Sequence, residues 1–296
     1  MLFTAVLAAF ISQFSPFLGL IFLIAGGGKN VISSFSHRYV FFIVFSGVVI
    51  LMTQLRVFPE DVVRYADILI GLGVGSFLFF SLMLMTTKYE ASILGFAGFT
   101  LIYAYVRARI FGHILLQNYD TLAKLNPKLL LMGRSINEEQ LRMLKYVISV
   151  GRNLTEDYNI AIWCVGMIIA VYLGSLLLVR SKTIVWEHKY LKFPHELVYM
   201  LIGTMILVII PSTKMLGLNL LISIMPLYLI QGTAVTDFFW GAQFAKSPIL
   251  RFLLILVILM NYPLLVLLVI VGLLDTWFNF RKIEIREEND ESHFVE

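Results

Sequence analysis

Apolar residues in this chain fall in long runs, and the runs recur from one end to the other. A helix needs about 20 such residues to cross the hydrocarbon of a bilayer. On that basis the pattern predicts spans over residues 2–25, 38–55, 65–86, 91–110, 158–179, 195–210, 215–245 and 248–274. The interruptions carry breakers: Gly26, Gly27 and Gly28 after the first run, Pro59 in the link RVFPEDVVR, and Pro194 and Pro211 at the two ends of the sixth run. Pro16, Pro226 and Pro263 lie inside runs and predict kinks, because proline lacks the helical donor and crowds the preceding turn.

Between residues 113 and 156 the hydrophobicity falls. Ser135 and Glu138 have the spacing of a capping box. Leu141, Leu144, Tyr146, Val147 and Ile148 follow at mostly helical spacing, which predicts an amphipathic helix lying on the membrane or across the bundle, with a face for a partner. The expected fold is therefore all-α: a polytopic helical membrane bundle of about eight spans with one amphipathic extramembrane insert. Residues 1–275 form a single membrane domain in this reading, and 276–296 form a charged tail.

One run is unusual in what it buries. LIQGTAVTDFFW, residues 229–240, places Gln231, Thr233, Thr236, Asp237 and Trp240 inside a predicted crossing. Helical spacing sets Thr233 and Asp237 on one face with Trp240 nearby, and turns Gln231 roughly 120° away from Asp237. A carboxylate in a span is costly in lipid and turns toward the bundle interior or an aqueous cavity. Gln231, Thr233, Asp237, Trp240 and the mid-span Asn261 are thus candidate solute-binding residues, with Asn219 beside them. The same groups also serve as interhelical glue in the alternative reading. Asp67 and Asp275 read as interfacial, Arg107 and Arg109 as snorkelling, and His37, His113, His188 and His195 as helix-end residues. Ala5, Ala8 and Ala9 put small side chains on one face of the first span, where another helix can approach closely.

Composition agrees: 59% of residues are hydrophobic and 14% charged, with a mean hydropathy of +0.86. The net charge of +4 suits loops that meet anionic lipid. No cluster of basic residues has the form of a nucleic-acid surface, so no nucleic-acid partner is expected. An even number of spans puts both termini on one side, and most of the 23 Lys and Arg fall on that side, which reads as cytoplasmic. The lone Cys164 sits in an apolar run and reads as a core residue. No zinc-like spacing, HExxH, GxSxG with a matching histidine, or GxxxxGK[ST] occurs. Neither an enzyme, a metal nor a cofactor is implied, and any ATP-driven step needs a partner.

Four segments in the C-terminal third carry a resemblance: Lys192-Phe-Pro194, Asn219-Leu-Leu, Leu229-Ile-Gln-Gly-Thr-Ala234, and Gly272-Leu-Leu-Asp-Thr-Trp-Phe-Asn-Phe-Arg-Lys282. In this order they resemble the YybS-like bacterial membrane family, a domain of unknown function. That family is distantly similar to the S components of energy-coupling-factor vitamin transporters. The resemblance implies a small solute bound between helices, a transmembrane coupling subunit docked on Ala5, Ala8 and Ala9, a separate ATPase, and a home in the bacterial inner (plasma) membrane. S components carry fewer spans than are read here. Two functions follow: a solute-binding transporter subunit, or a structural or regulatory scaffold working through the 113–156 insert.

Overall fold

The computed structural model describes residues 2–57, 61–86, 88–124, 138–180, 188–245 and 261–283. Every regular element among them is helical. In order these are α1 (Leu2–Phe14), α2 (Pro16–Ser33), α3 (Phe35–Gln54), α4 (Val62–Ala66), a π-helical segment (Asp67–Val74), α5 (Gly75–Thr86), α6 (Tyr89–Lys124), α7 (Glu138–Arg180), α8 (Glu196–Ile209), α9 (Lys214–Ala245) and α10 (Tyr262–Phe278). Among the described residues, five stretches are long and apolar enough to cross a membrane: Phe35–Gln54, Val62–Thr86, Tyr89–Lys124, Glu138–Leu178 and Pro211–Gly241. The apolar helices accord with an integral membrane protein.

The expected first span is instead two short helices. Ser15 ends α1, and Pro16 opens α2 at a position where its missing N–H costs nothing. The Ser15 hydroxyl accepts from the Leu18 amide at 3.4 Å, as a helix cap does. The legs then run back along each other: Thr4 Oγ1 donates to the Gly26 carbonyl at 3.1 Å, and Gly19 lies against Ser12. Each leg has 13 residues, Leu2–Phe14 and Pro16–Gly28, or about 20 Å at 1.5 Å per residue, short of the ~30 Å hydrocarbon core. Gly28 ends the second leg at φ 64°, a backbone state that glycine adopts at little cost.

Contacts divide the chain into two compact units, residues 1–186 with 200–226 and residues 187–199 with 227–296. In the first unit α6 and α7 pair antiparallel. The Tyr89 hydroxyl meets that of Ser175, Arg107 donates to Asn159 Oδ1 at 2.6 Å, and Arg152 donates to Asp120 Oδ1 at 2.8 Å. The pairing thus continues into the more polar ends of both helices. With 36 and 43 residues the helices are about 54 and 65 Å long, so both overshoot a bilayer. The expected insert, an amphipathic helix lying on the membrane or across the bundle, is not confirmed: residues 113–124 and 138–156 extend these two helices. Ser135 of the capping box lies outside the described residues.

The long α7 bends at Tyr158, whose φ/ψ of −125°/21° leave the helical region. The cause is Asn219 of α9. Its Nδ2 donates to the Asp157 carbonyl at 2.6 Å, and its Oδ1 accepts from the Ala161 amide at 3.0 Å. Those two backbone groups would bond each other in an unbroken helix, so the side chain is inserted into the ladder. Replacing Asn219 by leucine strands both groups unless α7 straightens. The expected loss is about 1–3 kcal/mol, read from denaturant unfolding in detergent. An unchanged midpoint would show that the bend forms without this amide.

In the second unit α9 and α10 cross backbone to backbone. A Cβ on Gly232 would overlap the Leu268 carbonyl oxygen, and one on Gly272 would overlap that of Tyr228. Only glycine permits this approach from either side. Asn261 and Pro263, expected at a mid-span kink, instead start α10, as its N-cap and within its first turn. Residues 248–260 of that expected span lie outside the described residues. At the other end Asn279 takes a left-handed conformation, φ 45° and ψ 55°, and its side chain exchanges two hydrogen bonds with Ile283. The chain reverses there, so residues 276–283 belong to the folded unit rather than to a tail. Residues 284–296 lie outside the described residues.

Candidate functional site

The Gly232–Gly272 crossing sets Gln231 beside Asp275 and Thr276. Gln231 is fully buried; its Nε2 donates to Asp275 Oδ2 at 3.0 Å and to Thr276 Oγ1 at 3.1 Å, and its Oε1 accepts from the Phe193 amide at 3.2 Å. The reversal at Asn279 returns Arg281 to the same carboxylate, Nη2 to Asp275 Oδ2 at 2.6 Å, with both side chains fully buried. Arg281 also donates to the carbonyls of Lys189 at 2.7 Å and Leu191 at 2.8 Å. One ion pair and one amide therefore hold three backbone groups of the 189–193 segment against α9 and α10. Asp275, expected at the membrane interface, is the centre of this network. Beside it, burial lowers the Lys192 ammonium from its ordinary range; Asp275 draws it back up and Arg281 adds to the fall.

The clamped segment begins at a 3₁₀ turn, His188–Tyr190, and that turn delivers His188 to α9. His188 Nδ1 lies 3.3 Å from Asp237 Oδ2 and its Nε2 lies 3.4 Å from Thr233 Oγ1. These groups are not sealed: the side chains of His188 and Asp237 are 13% and 27% exposed. Trp240, one turn beyond Asp237, is 54% exposed. The five expected solute-site residues thus separate. Thr233 and Asp237 share an open rim with His188, which was expected to be a surface residue. Trp240 lies further out on the same helix. Gln231 is consumed by the buried clamp, and Asn261 stands at the N-cap position of α10 without a side-chain bond to it.

The first unit has its own buried ion pair. Arg107 Nε donates to Asp67 Oδ1 at 2.7 Å and Nη2 to Asp67 Oδ2 at 2.9 Å, while the Tyr103 hydroxyl donates to Asp67 Oδ1 at 2.8 Å. Arg107 Nη1 reaches Asn159, and the guanidinium sits 4.6 Å over the Trp163 ring. Asp67 is the first residue of the π-helical segment. Asp67 as an interfacial acid and Arg107 as a snorkelling base are both corrected: each neutralises the other inside the bundle. Ala5, Ala8 and Ala9 are fully buried, on a helix packed against α2 and α3, so the small-residue face of α1 is filled from within the chain.

Cys164 is a buried free thiol. No group of three or more His, Cys, Asp or Glu side chains with metal-holding geometry occurs among the described residues. Compared with family models, with curated proteins and with solved structures, the chain finds no match.

Proposed function

We propose that this chain is a small-solute-binding subunit of a membrane transporter, similar to an energy-coupling-factor S component and without an ATPase of its own. It takes up a polar solute at the rim formed by His188, Thr233 and Asp237. What carries the reading is a contrast within one helix. Gln231 is fully buried with its amide bonded to Asp275, Thr276 and the Phe193 amide, whereas the Asp237 side chain, six residues on, is 27% exposed and lies 3.3 Å from the His188 imidazole. The rim rests on elements fixed by the Arg281 clamp, the preorganisation that a binding site requires. The reading places the chain in an inner (plasma) membrane with both termini cytoplasmic, alongside a coupling subunit and an ATPase.

Native mass spectrometry of the detergent-purified protein should find a retained small molecule. Asp237→Ala should weaken its binding about ten- to hundredfold while leaving insertion intact, the size expected for a lost hydrogen bond to a charged group. Unchanged retention in the variant would remove Asp237 from the site. A second reading, a scaffold working through the former insert, is favoured by one observation: α6 and α7 stay paired past the bilayer through Arg152 and Asp120. Under that reading no solute is retained, and shortening both extensions abolishes function.

A further inference from the structure

The α1–α2 hairpin carries a polar side chain into its seat with nothing to bond. Gln13 lies in the last turn of α1 and is only 4% exposed, yet among the described residues neither its Nε2 nor its Oε1 has a hydrogen-bond partner. Turning the amide over exchanges one unmet group for the other and mends nothing. Trp163 of α7 shows the same deficit: it is 5% exposed, and its Nε1 has no partner among the described residues. The hairpin covers that indole. The Phe17 ring, in the first turn of α2, lies 5.6 Å from it, centre to centre, and the Arg107 guanidinium sits 4.6 Å over it.

The hairpin is bonded to itself and packed on the bundle. The bonds from Thr4 to the Gly26 carbonyl, from Ser12 Oγ to the Ala9 carbonyl at 2.8 Å and from the Leu18 amide to Ser15 all close inside it. Its seat is made on glycines. A Cβ on Gly166 would overlap the Phe17 ring, one on Gly174 would crowd Ile24 and the Ile21 carbonyl, and one on Gly27 would strike the Phe80 ring. Gly28 follows at φ 64° and ψ 176°, a backbone region used almost only by glycine, and nothing lies within 4 Å of a Cβ built there. Just beyond, the chain is tied to α3, because the Val31 carbonyl accepts from Arg38 Nε at 3.2 Å. The break at Gly28 therefore parts a self-contained hairpin from an anchored stub.

We propose that the α1–α2 hairpin is a lid that opens about Gly28. Closed, it shuts Gln13 and Trp163 away from water. Open, it hydrates both and admits water to the indole on which Arg107 of the Asp67 pair rests. The bias comes from the two unmet groups. A buried amide or indole N–H without a partner raises the free energy of the closed state, and water removes that penalty on opening. A seat built only of apolar side chains would carry no such bias, so Gln13 sets how readily the lid lifts.

The test follows the Trp163 Nε1–H by NMR in the full chain in detergent, isotope-labelled at tryptophan and assigned with Trp163→Phe. Its exchange with water is timed beside the backbone amides. In the unaltered protein it should exchange well ahead of the slowest amides of α7, which open only with the whole unit. Gln13→Leu takes the unmet amide out of the seat and should slow that exchange about tenfold or more. Gln13→Met, also apolar and unbranched like glutamine, should act in the same direction and guards against a leucine variant that fails to fold. An indole that exchanges only at the pace of the slowest amides in the unaltered protein would overturn the lid. So would a rate that either folded variant leaves unchanged or raises.

Discussion

Arg281→Leu should destabilise the second unit by about 3–5 kcal/mol, among the largest effects of any single substitution there. The reason is what stays behind. Asp275 would keep its charge in a site with no exposure, retaining Gln231 Nε2 as a neutral partner. The carbonyls of Lys189 and Leu191 would lose their donor at the same stroke. Because one guanidinium serves all three acceptors, the contributions are not independent and do not add. Denaturant unfolding in detergent reads the loss directly. Limited proteolysis gives a second reading, since the 188–193 segment should become the first site of cleavage once Arg281 no longer pins it. The double variant D275L/R281L should recover the part due to the stranded charge, while the two carbonyls stay without their donor and the segment stays labile. A single variant that loses less than about 1 kcal/mol would show that the pair contributes little to stability.

The clamp also shows what the sequence made legible and what it did not. Its residues come from segments with distinctive wording: Phe193 from Lys192-Phe-Pro194, Gln231 and Gly232 from the LIQGTA stretch, and Gly272, Asp275, Thr276, Asn279 and Arg281 from GLLDTWFNFRK. Each segment was visible, but their meeting was not, because Gln231 finds its partners 44 and 45 residues along the chain. Helical spacing placed Thr233, Asp237 and Trp240 correctly on α9, since that relation is local. His188 joined them from a separate turn, which no periodicity predicts. Depth was misjudged for Asp67, Arg107 and Asp275 for a related reason. Read along one helix, a charge near the end of an apolar run belongs at the interface. Its burial depends on an opposite charge at matching height on a neighbour. An acid early in one span and a base late in the next meet that condition when the spans run antiparallel. That signal was present in Asp67 and Arg107.

The first expected span was misread because hydropathy has no geometric content. Residues 2–25 are apolar throughout, so a window sees one crossing whether the chain continues or folds back. The fold-back rests on Ser15-Pro16, where a cap and a proline that tolerates the first turn replace the continuous ladder. The insert is not confirmed, for the opposite reason. Falling hydrophobicity marked where α6 and α7 leave the apolar layer, not where they end, and their polar ends remain helical because they pair with each other. The contacts there are half-exposed ion pairs such as Arg152–Asp120, each worth little alone, so the continuing helices owe more to length and packing than to any one of them.

The Asp67–Arg107 pair supports a different prediction, about coupling rather than loss. Arg107→Leu should destabilise the first unit by about 3–5 kcal/mol, leaving Asp67 charged with only the Tyr103 hydroxyl as a donor. Asp67→Leu should do comparable harm, stranding a guanidinium over Trp163 with Asn159 as its remaining acceptor. The double variant D67L/R107L removes both charges and leaves apolar groups in an apolar bundle. It should approach the unaltered protein and not the sum of the singles, since replacing a whole buried ion pair is often neutral. Tyr103→Phe deletes one bond to the carboxylate and should cost about 1.5–3 kcal/mol in the unaltered background, and much less once Asp67 is leucine. Unfolding midpoints of these five variants and of the unaltered protein in one detergent close both cycles. If the two single losses simply add, the pair does not act as a unit, and the π-helical segment is held to α6 by packing alone.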